Sequence, residues 1–465
     1  MEGTVLMNCD TSKSVLNHAP TQEYTFRTAQ GVWINDMRNR AMPHSQWPCV
    51  VLDDRAVADL AESFRLQASS GFNSVTLFGL LTASMWEPNI PQTVSPERAA
   101  KVRTVLNEAH AAGLKVLYGL GVYSWGFDRI IAADPSVRGD NPHAMCGSRP
   151  ESRRWMERVI DYLLSEFSFD GFHLEASDLG RCNCAACTAE SNTAYYSRLN
   201  AETAAIIRAA KPDAVLMVNM CGNTRPAKSV PAEDRKHLVS LSRQIDFLID
   251  PGHAGLFIEP SARRDFIRTL DCAFGTSGGT WVYPPQRWQR LRWFIPYTQR
   301  TGEHLEVLHA DGGRAVEYYM GPSWNPGVEV NVAFGGRKLT DVSQDNGALL
   351  RQILDELYRP RDARAAAALA RVFEAAEDAF FACSRLRAEG DRGTEGEIHL
   401  TPLFGRRPGP PTYLRKAIMD ETREEYFRRL RALLPCLDRL EGRCRSGGRI
   451  ARIRRCIHSV LAERV

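Results

Sequence analysis

The segment Asp170-Gly-Phe-His-Leu-Glu-Ala-Ser-Asp-Leu-Gly-Arg-Cys-Asn-Cys-Ala-Ala-Cys187 concentrates two kinds of chemistry. Glu175 closes a short apolar run. A carboxyl group at such a rim, with one side to a cavity and the other to apolar neighbours, is placed to act as a general acid. Asp178, three residues on, is a candidate to orient that acid, polarise a substrate group or bind a sugar hydroxyl. Cys182, Cys184 and Cys187 form a Cys-x-Cys-x-x-Cys cluster, close enough for three thiolates to reach one tetrahedral zinc at about 2.3 Å if a fourth ligand arrives from elsewhere. Cys146 is the first choice for that ligand, with Cys221 and His143 as alternatives. Four thiolates leave no open position for water, so this zinc is expected to be structural, pinning the loop after Glu175.

The elements that must hold these residues show in the alternation of short apolar runs with longer amphipathic stretches between Gly31 and Gly321. Runs at 31–36, 74–79, 115–119, 171–175, 215–219, 246–250, 280–283 and 315–319 read as eight strands, with helix-like segments such as 56–69, 96–112, 151–167, 192–210 and 285–301 between them. Strands alternating with helices predict parallel βα units. No Gly-x-Gly-x-x-Gly turn follows the first run, which argues against a dinucleotide-binding sheet. The expected class is α/β, a (β/α)8 TIM barrel over 22–344 after an N-terminal tail at 1–21. A Gly-rich connection at 325–336 leads to a C-terminal helical domain over 345–465, with helices expected at 361–385 and 412–434.

In such a barrel the site is built where the strands end. The residues finishing or following the runs are Asp36, Arg38 and Arg40; Tyr123, Trp125 and Asp128; His173; Asn219; Asp250 and His253; Tyr283, Gln286 and Trp288; and Trp324. Aromatic rings beside carboxylates and amides suit sugars, whose C–H faces stack on Trp and Tyr while their hydroxyls need polar partners. Asp36, Arg38, Tyr123, Trp125, His173, Asn219, His253, Tyr283 and Trp324 are therefore the candidate substrate-binding residues. Glycoside hydrolysis needs a second carboxylate, about 5 to 5.5 Å from the acid for retention or about 6.5 to 9.5 Å for inversion. Asp250 is the first choice by position, followed by Asp36 and Asp178. Glu317 lies inside its run with either facing open, and Glu329 reads as structural. With an acetamido substrate, Asp178 would position that group as an internal nucleophile. Arg38, Arg40 and His253 suit an anionic sugar, since guanidinium forks bind carboxylates and sulfates.

Composition sets the outer limits. The chain has 465 residues, 44% hydrophobic and 25% charged, with 59 Lys+Arg against 55 Asp+Glu for a formal net charge of +4. That bias is too slight for a polyanion binder, so nucleic acid is excluded as the leading partner. The Arg-rich stretch from Arg443 to Arg464 reads as a solvated helix face. No run matches a signal peptide core or a membrane span, and twelve cysteines in so long a chain read as thiols or metal ligands. A cytoplasmic, soluble protein is expected. The 325–336 connection and the helical domain are the candidate contacts of a homo-oligomer.

The cysteine segment resembles the zinc region of family 42 β-galactosidases and related barrel glycoside hydrolases. The likeness covers Cys146-Gly-Ser-Arg-Pro-Glu, the strand Asp170-Gly-Phe-His-Leu-Glu175 and the loop with Cys182, Cys184 and Cys187. It implies Cys146, Cys182, Cys184 and Cys187 as zinc ligands and Glu175 as acid/base. The chain departs from that family at Leu174, where the family has Asn, and at Thr280-Trp-Val-Tyr-Pro-Pro285, where the family carries its nucleophile. The Asp-Gly-Phe-His strand also resembles bacterial proteins related to family 20 hexosaminidases and α-glucuronidases. The expected function is hydrolysis of a glycosidic bond with Glu175 as general acid. The rivals are a lyase or isomerase of acidic sugars using His173 or His253 as base, and a carbohydrate-binding barrel without turnover.

Overall fold

The computed structural model describes residues 22–30, 52–81, 85–175, 180–219, 232–250, 260–277, 294–319, 325–383 and 420–462. Eight parallel strands close into a barrel in sequence order: β1 (Phe26–Gln30), β2 (Ser74–Phe78), β3 (Lys115–Gly121), β4 (Gly171–Glu175), β5 (Val215–Asn219), β6 (Phe247–Asp250), β7 (Ala273–Ser277) and β8 (Ala315–Tyr319), which pairs with β1. Around them lie α1 (Asp54–Ser70), α2 (Pro96–Ala111), α3 (Asp128–Ala133), α4 (Pro150–Glu166), α5 (Ala185–Thr188), α6 (Asn192–Ala210), α7 (Ala232–Ser242), α8 (Pro260–Ile267), α9 (Gln299–Ala310) and α10 (Pro326–Thr340). The helices α11 (Asn346–Tyr358), α12 (Ala363–Cys383), α13 (Arg423–Glu441) and α14 (Gly447–Leu461) form a C-terminal helical region. This is a (β/α)8 TIM barrel followed by helices. Among the described residues no helix is long and apolar enough to cross a membrane.

Local sequence sets the helix boundaries. Asp53, Ser95, Ser191 and Asp345 each accept an N–H of the first turn of α1, α2, α6 and α11, satisfying donors that have no partner within the helix. Helix α1 stops at Gly71, whose φ of 107° a residue with a Cβ rarely adopts.

The foot of the barrel repeats one device. Asn73, Asp170 and Asp246, which precede β2, β4 and β6, turn their side chains back to the strand before. They accept from Arg27 N at 3.0 Å, Val116 N at 2.7 Å and Leu216 N at 2.8 Å. His110 and Arg208 hold the two aspartates from outside. Side chains alternate along each strand. Phe26, Leu117, Met217, Ile249 and Ala315 pack together in the barrel interior, with Phe26 stacked on Phe247 at 4.0 Å. One step nearer the strand ends the filling turns polar, with Thr28 and Thr76 hydroxyls 3.3 Å apart.

Three expected elements are corrected. The first strand is Phe26–Gln30 and not 31–36, which lies outside the described residues; inside it, the polar Thr28 follows the apolar Phe26 and conceals the strand. The seventh is Ala273–Ser277 and not 280–283. Its inward positions Ala273 and Gly275 are small, and a Cβ on Gly275 would stand 2.0 Å from the Ala315 carbonyl oxygen. The Gly-rich 325–336 segment is not a connection but most of helix α10, capped by Asn325 and started by Pro326. Its Gly335 and Gly336 let the helix approach the Tyr318 ring and the Ser70 carbonyl. The helix expected at 361–385 runs Ala363–Cys383, and that expected at 412–434 is described as Arg423–Glu441.

Candidate active site and metal site

The mouth of the barrel centres on β4. His173 and Glu175 stand two residues apart and share the inward face. The His173 Nδ1 lies 2.7 Å from Glu317 Oε1, and its Nε2 lies 3.6 Å from Glu175 Oε2. Glu317 comes from β8, diametrically opposite β4 in an eight-stranded ring, so the two side chains meet across the barrel interior. The facing left open in the sequence is thereby inward. His173 and Glu317 are 0% exposed, whereas Glu175 retains 7%. Of the three, Glu175 alone is open to a ligand; His173, read from sequence as substrate-binding, sits beneath it.

Burial alone would push the His173 imidazole down, but the Glu317 carboxylate on Nδ1, helped by the Glu175 side chain beyond Nε2, more than offsets this and raises it from 6.5 to about 9. The ring is therefore an imidazolium at neutral pH. Phe78, at the end of β2, meets His173 edge to face at 4.8 Å and packs on Trp125 at 5.2 Å. Gly119 makes room for Phe78, since a Cβ there would stand 2.3 Å from the ring. After β3 the chain folds back tightly: Tyr123 and Trp125 take φ of 59° and 68°, and Val122 N donates to the Glu175 carbonyl at 2.8 Å. Trp125 thus stays at the mouth as a half-buried ring.

Two expected site residues are placed elsewhere. Tyr123 is buried, and its hydroxyl donates to Glu202 Oε2 on α6 at 3.1 Å. Asp250 ends β6, but Ile249 belongs to the interior cluster, so strand alternation puts Asp250 in the outward register with Leu248 and its neighbour Thr276. Thr276 indeed meets His304 on α9. Asn219 ends β5 and is buried in the inward register with Met217. Asp36, Arg38, Arg40, Asp178, Cys221, His253, Tyr283, Gln286, Trp288 and Trp324 lie outside the described residues. Asp128 is the partner of His143, 2.8 Å from its Nδ1, which engages the alternative zinc ligand in another contact. Glu317 is the functional residue that sequence reasoning left undecided. The His173/Glu175 spacing signals a pair, but only the pairing of β8 with β1 and β7 fixes which way Glu317 points.

The four cysteines converge. The Sγ atoms of Cys146, Cys182, Cys184 and Cys187 all lie within 4.8 Å of one another. Cys146 Sγ is 3.7 Å from both Cys184 Sγ and Cys187 Sγ. A tetrahedron with Zn–S bonds of about 2.3 Å has an edge of about 3.8 Å, so the donor set fits a tetrahedral ion and none of the spacings is that of a disulfide. Gly139 leaves room for Cys182, because a Cβ there would stand 2.2 Å from its sulfur. The Asp140 carboxylate accepts from Cys182 Sγ and Asn183 N. The Cys187 N–H pulls the Cys184 thiol down to about 6, while burial pushes Cys182 and Cys187 up. The group could hold a metal ion.

No protein-family model matches the chain, and no curated protein matches it in sequence. Solved structures do. One is a GH138 enzyme targeting pectin rhamnogalacturonan II, at TM-score 0.60 and 10% identity, covering 94% of this chain and 70% of that one. Another is a mutant O-GlcNAc hydrolase of Thermobaculum terrenum, at TM-score 0.50 and 11% identity, covering 83% and 74%. The shared feature at such identity is the (β/α)8 barrel fold. Neither is a family 42 enzyme, so the likeness to that family rests on the cysteine segment alone.

Proposed function

We propose that the protein is a glycoside hydrolase in which Glu175 donates the proton to the leaving glycosidic oxygen. The observation that carries this reading is the Glu175–His173–Glu317 chain at the carboxyl end of β4 and β8, with only Glu175 open to the mouth. As the C–O bond breaks, the Glu175 proton passes to the departing oxygen and the sugar becomes oxocarbenium-like. The negative charge then growing on Glu175 faces the His173 imidazolium at 3.6 Å, a fixed partner that strengthens as charge develops. Water completes the substitution and its proton passes to the Glu175 carboxylate, which restores the acid. Trp125 supplies a stacking face for a sugar ring.

With Asp250 in the outward register, Asp36 and Asp178 are the remaining candidates for the second carboxylate. With an acetamido sugar, Asp178 would orient the substrate's own nucleophile. Cys146, Cys182, Cys184 and Cys187 would hold a zinc that is structural and fixes the chain just beyond β4. A lyase using His173 as base loses support, because that ring is fully buried between two carboxylates.

The test is hydrolysis of aryl galactosides, N-acetylhexosaminides and glucuronides by the parent and by Glu175→Gln, with zinc assayed on both. Cleavage of one class, lost by orders of magnitude in the Gln variant at unchanged zinc content, is expected. Sugar binding without turnover in the parent, or equal activity in the variant, overturns the reading.

A further inference from the structure

The N-terminus of α9 is not capped by its own chain. Thr298 stands at the cap position, yet its side chain makes no cap bond within the helix. Glu377 of α12 takes that role from the C-terminal helical region. Its carboxylate accepts from Thr298 N at 2.8 Å, Thr298 Oγ1 at 3.1 Å, Gln299 N at 3.2 Å and Arg300 N at 3.0 Å. Glu377 is itself only 4% exposed. Burial pushes its carboxyl up while these N–H groups draw it back down, and the positive end of the helix favours its charge.

The chain entering α9 is held by the same layer. Phe294 packs on Phe373 at 5.0 Å and Tyr297 on Phe381 at 4.8 Å. Asn331 of α10 clasps the backbone twice, accepting from Tyr297 N and donating to the Ile295 carbonyl. In a βα barrel the helices run back from the mouth, so residues 294–300 lie on the side where substrate binds. They lead directly into α9.

We propose that Glu377 is a positioning residue for the substrate site: by capping α9 from the helical region it fixes residues 294–300 on the mouth side of the barrel, and so ties this part of the rim to the helical region. The proposal rests on the glycosidase reading for its substrate. A cap alone would need only one short side chain from residue 298. A remote, buried carboxylate that takes three leading N–H groups instead ties the position of the rim to that of α12.

The experiment compares E377Q with E329Q, which breaks a different fastening of the helical region, the Arg449–Glu329 pair between α14 and α10. The substrate is the aryl glycoside cleaved by the parent, and hydrogen exchange of residues 294–300 is followed in parallel. E377Q is expected to raise KM about tenfold with kcat within about twofold, and to speed exchange at 294–300, because a misplaced rim weakens binding and leaves the acid intact. E329Q is expected to change neither. An unchanged KM in E377Q, or the same KM rise in E329Q, overturns the proposal. If the parent cleaves no glycoside, the hydrolase reading falls by itself and the rim assignment is read from exchange, where unchanged protection at 294–300 in E377Q overturns it.

Discussion

Replacing Glu317 by Gln isolates the charge across the barrel interior. The variant keeps an oxygen that can accept from His173 Nδ1 but removes the larger of the two acidic influences that together raise the imidazole from 6.5 to about 9. That rise corresponds to about 3 kcal/mol of folding free energy, with no discount for solvent because both groups are fully buried. The sign follows from the direction. A histidine whose folded value lies above its unfolded one contributes fully below about pH 6.5, and the contribution is lost as pH rises through about 9. Glu317→Gln is therefore expected to be less stable than the parent by up to about 3 kcal/mol near pH 6. At pH 10 the two should nearly coincide, or the variant should gain, since the parent then buries a carboxylate opposite a neutral ring. Among the described residues Glu317 Oε2 has no hydrogen-bond partner, which sharpens the dependence on the imidazolium. Urea unfolding of both proteins from pH 6 to 10 measures the difference directly and cancels the titration of groups common to both. A parent-minus-variant difference that is flat across this range would refute the assignment of charge to His173.

Three shorter predictions accompany it. The purified chain is expected to carry about one zinc, and Cys146→Ser or Cys187→Ser should lower that content and speed proteolysis near α5; a metal-free parent of undiminished stability speaks against the site. Asp246→Ala should destabilise by about 1–3 kcal/mol, since it strips Leu216 N and Arg208 of a partner. It should leave KM unaltered because it sits at the foot of the barrel, and a change in KM counts against that placement. Trp125→Ala should raise KM for the cleaved glycoside about three- to tenfold from lost stacking, and an unaffected KM removes Trp125 from the sugar site.

What the sequence made legible depended on whether the signal was local. The cysteine cluster is spelled out by spacing, and Cys146 arrives through a short stretch of chain that also folds locally. Runs at β2 to β6 and β8 stood out because their outward positions are aliphatic or aromatic against the helices, as in Val75, Leu77, Phe172 and Leu174. Strands β1 and β7 did not, because the first puts Thr28 inside and the second is assembled from Ala273, Gly275 and Ser277. The Arg-rich C-terminus needed distant partners to be understood: Arg443 pairs with Asp362, Arg449 with Glu329, and Arg454 with Asp438 and Glu441. Several of those arginines fasten helices together instead of facing only solvent.

The site was legible by residue type but not by parity. A strand end announces a polar residue, yet a shift of one position reverses its face. Asp246 heads the apolar run 246–250 in the sequence but serves the foot of the barrel, so the strand proper begins at Phe247 and its fourth residue, Asp250, turns outward. Glu317 sits mid-run and turns inward. The acid's strand is met, within the described residues, by a carboxylate reaching from the opposite side of the barrel. Since His173 binds both Glu317 and Glu175, the charge of the acid's partner is set by two strands that never touch. Sequence spacing has no means to report that pairing, because only closure of the eight-stranded ring brings β4 and β8 face to face.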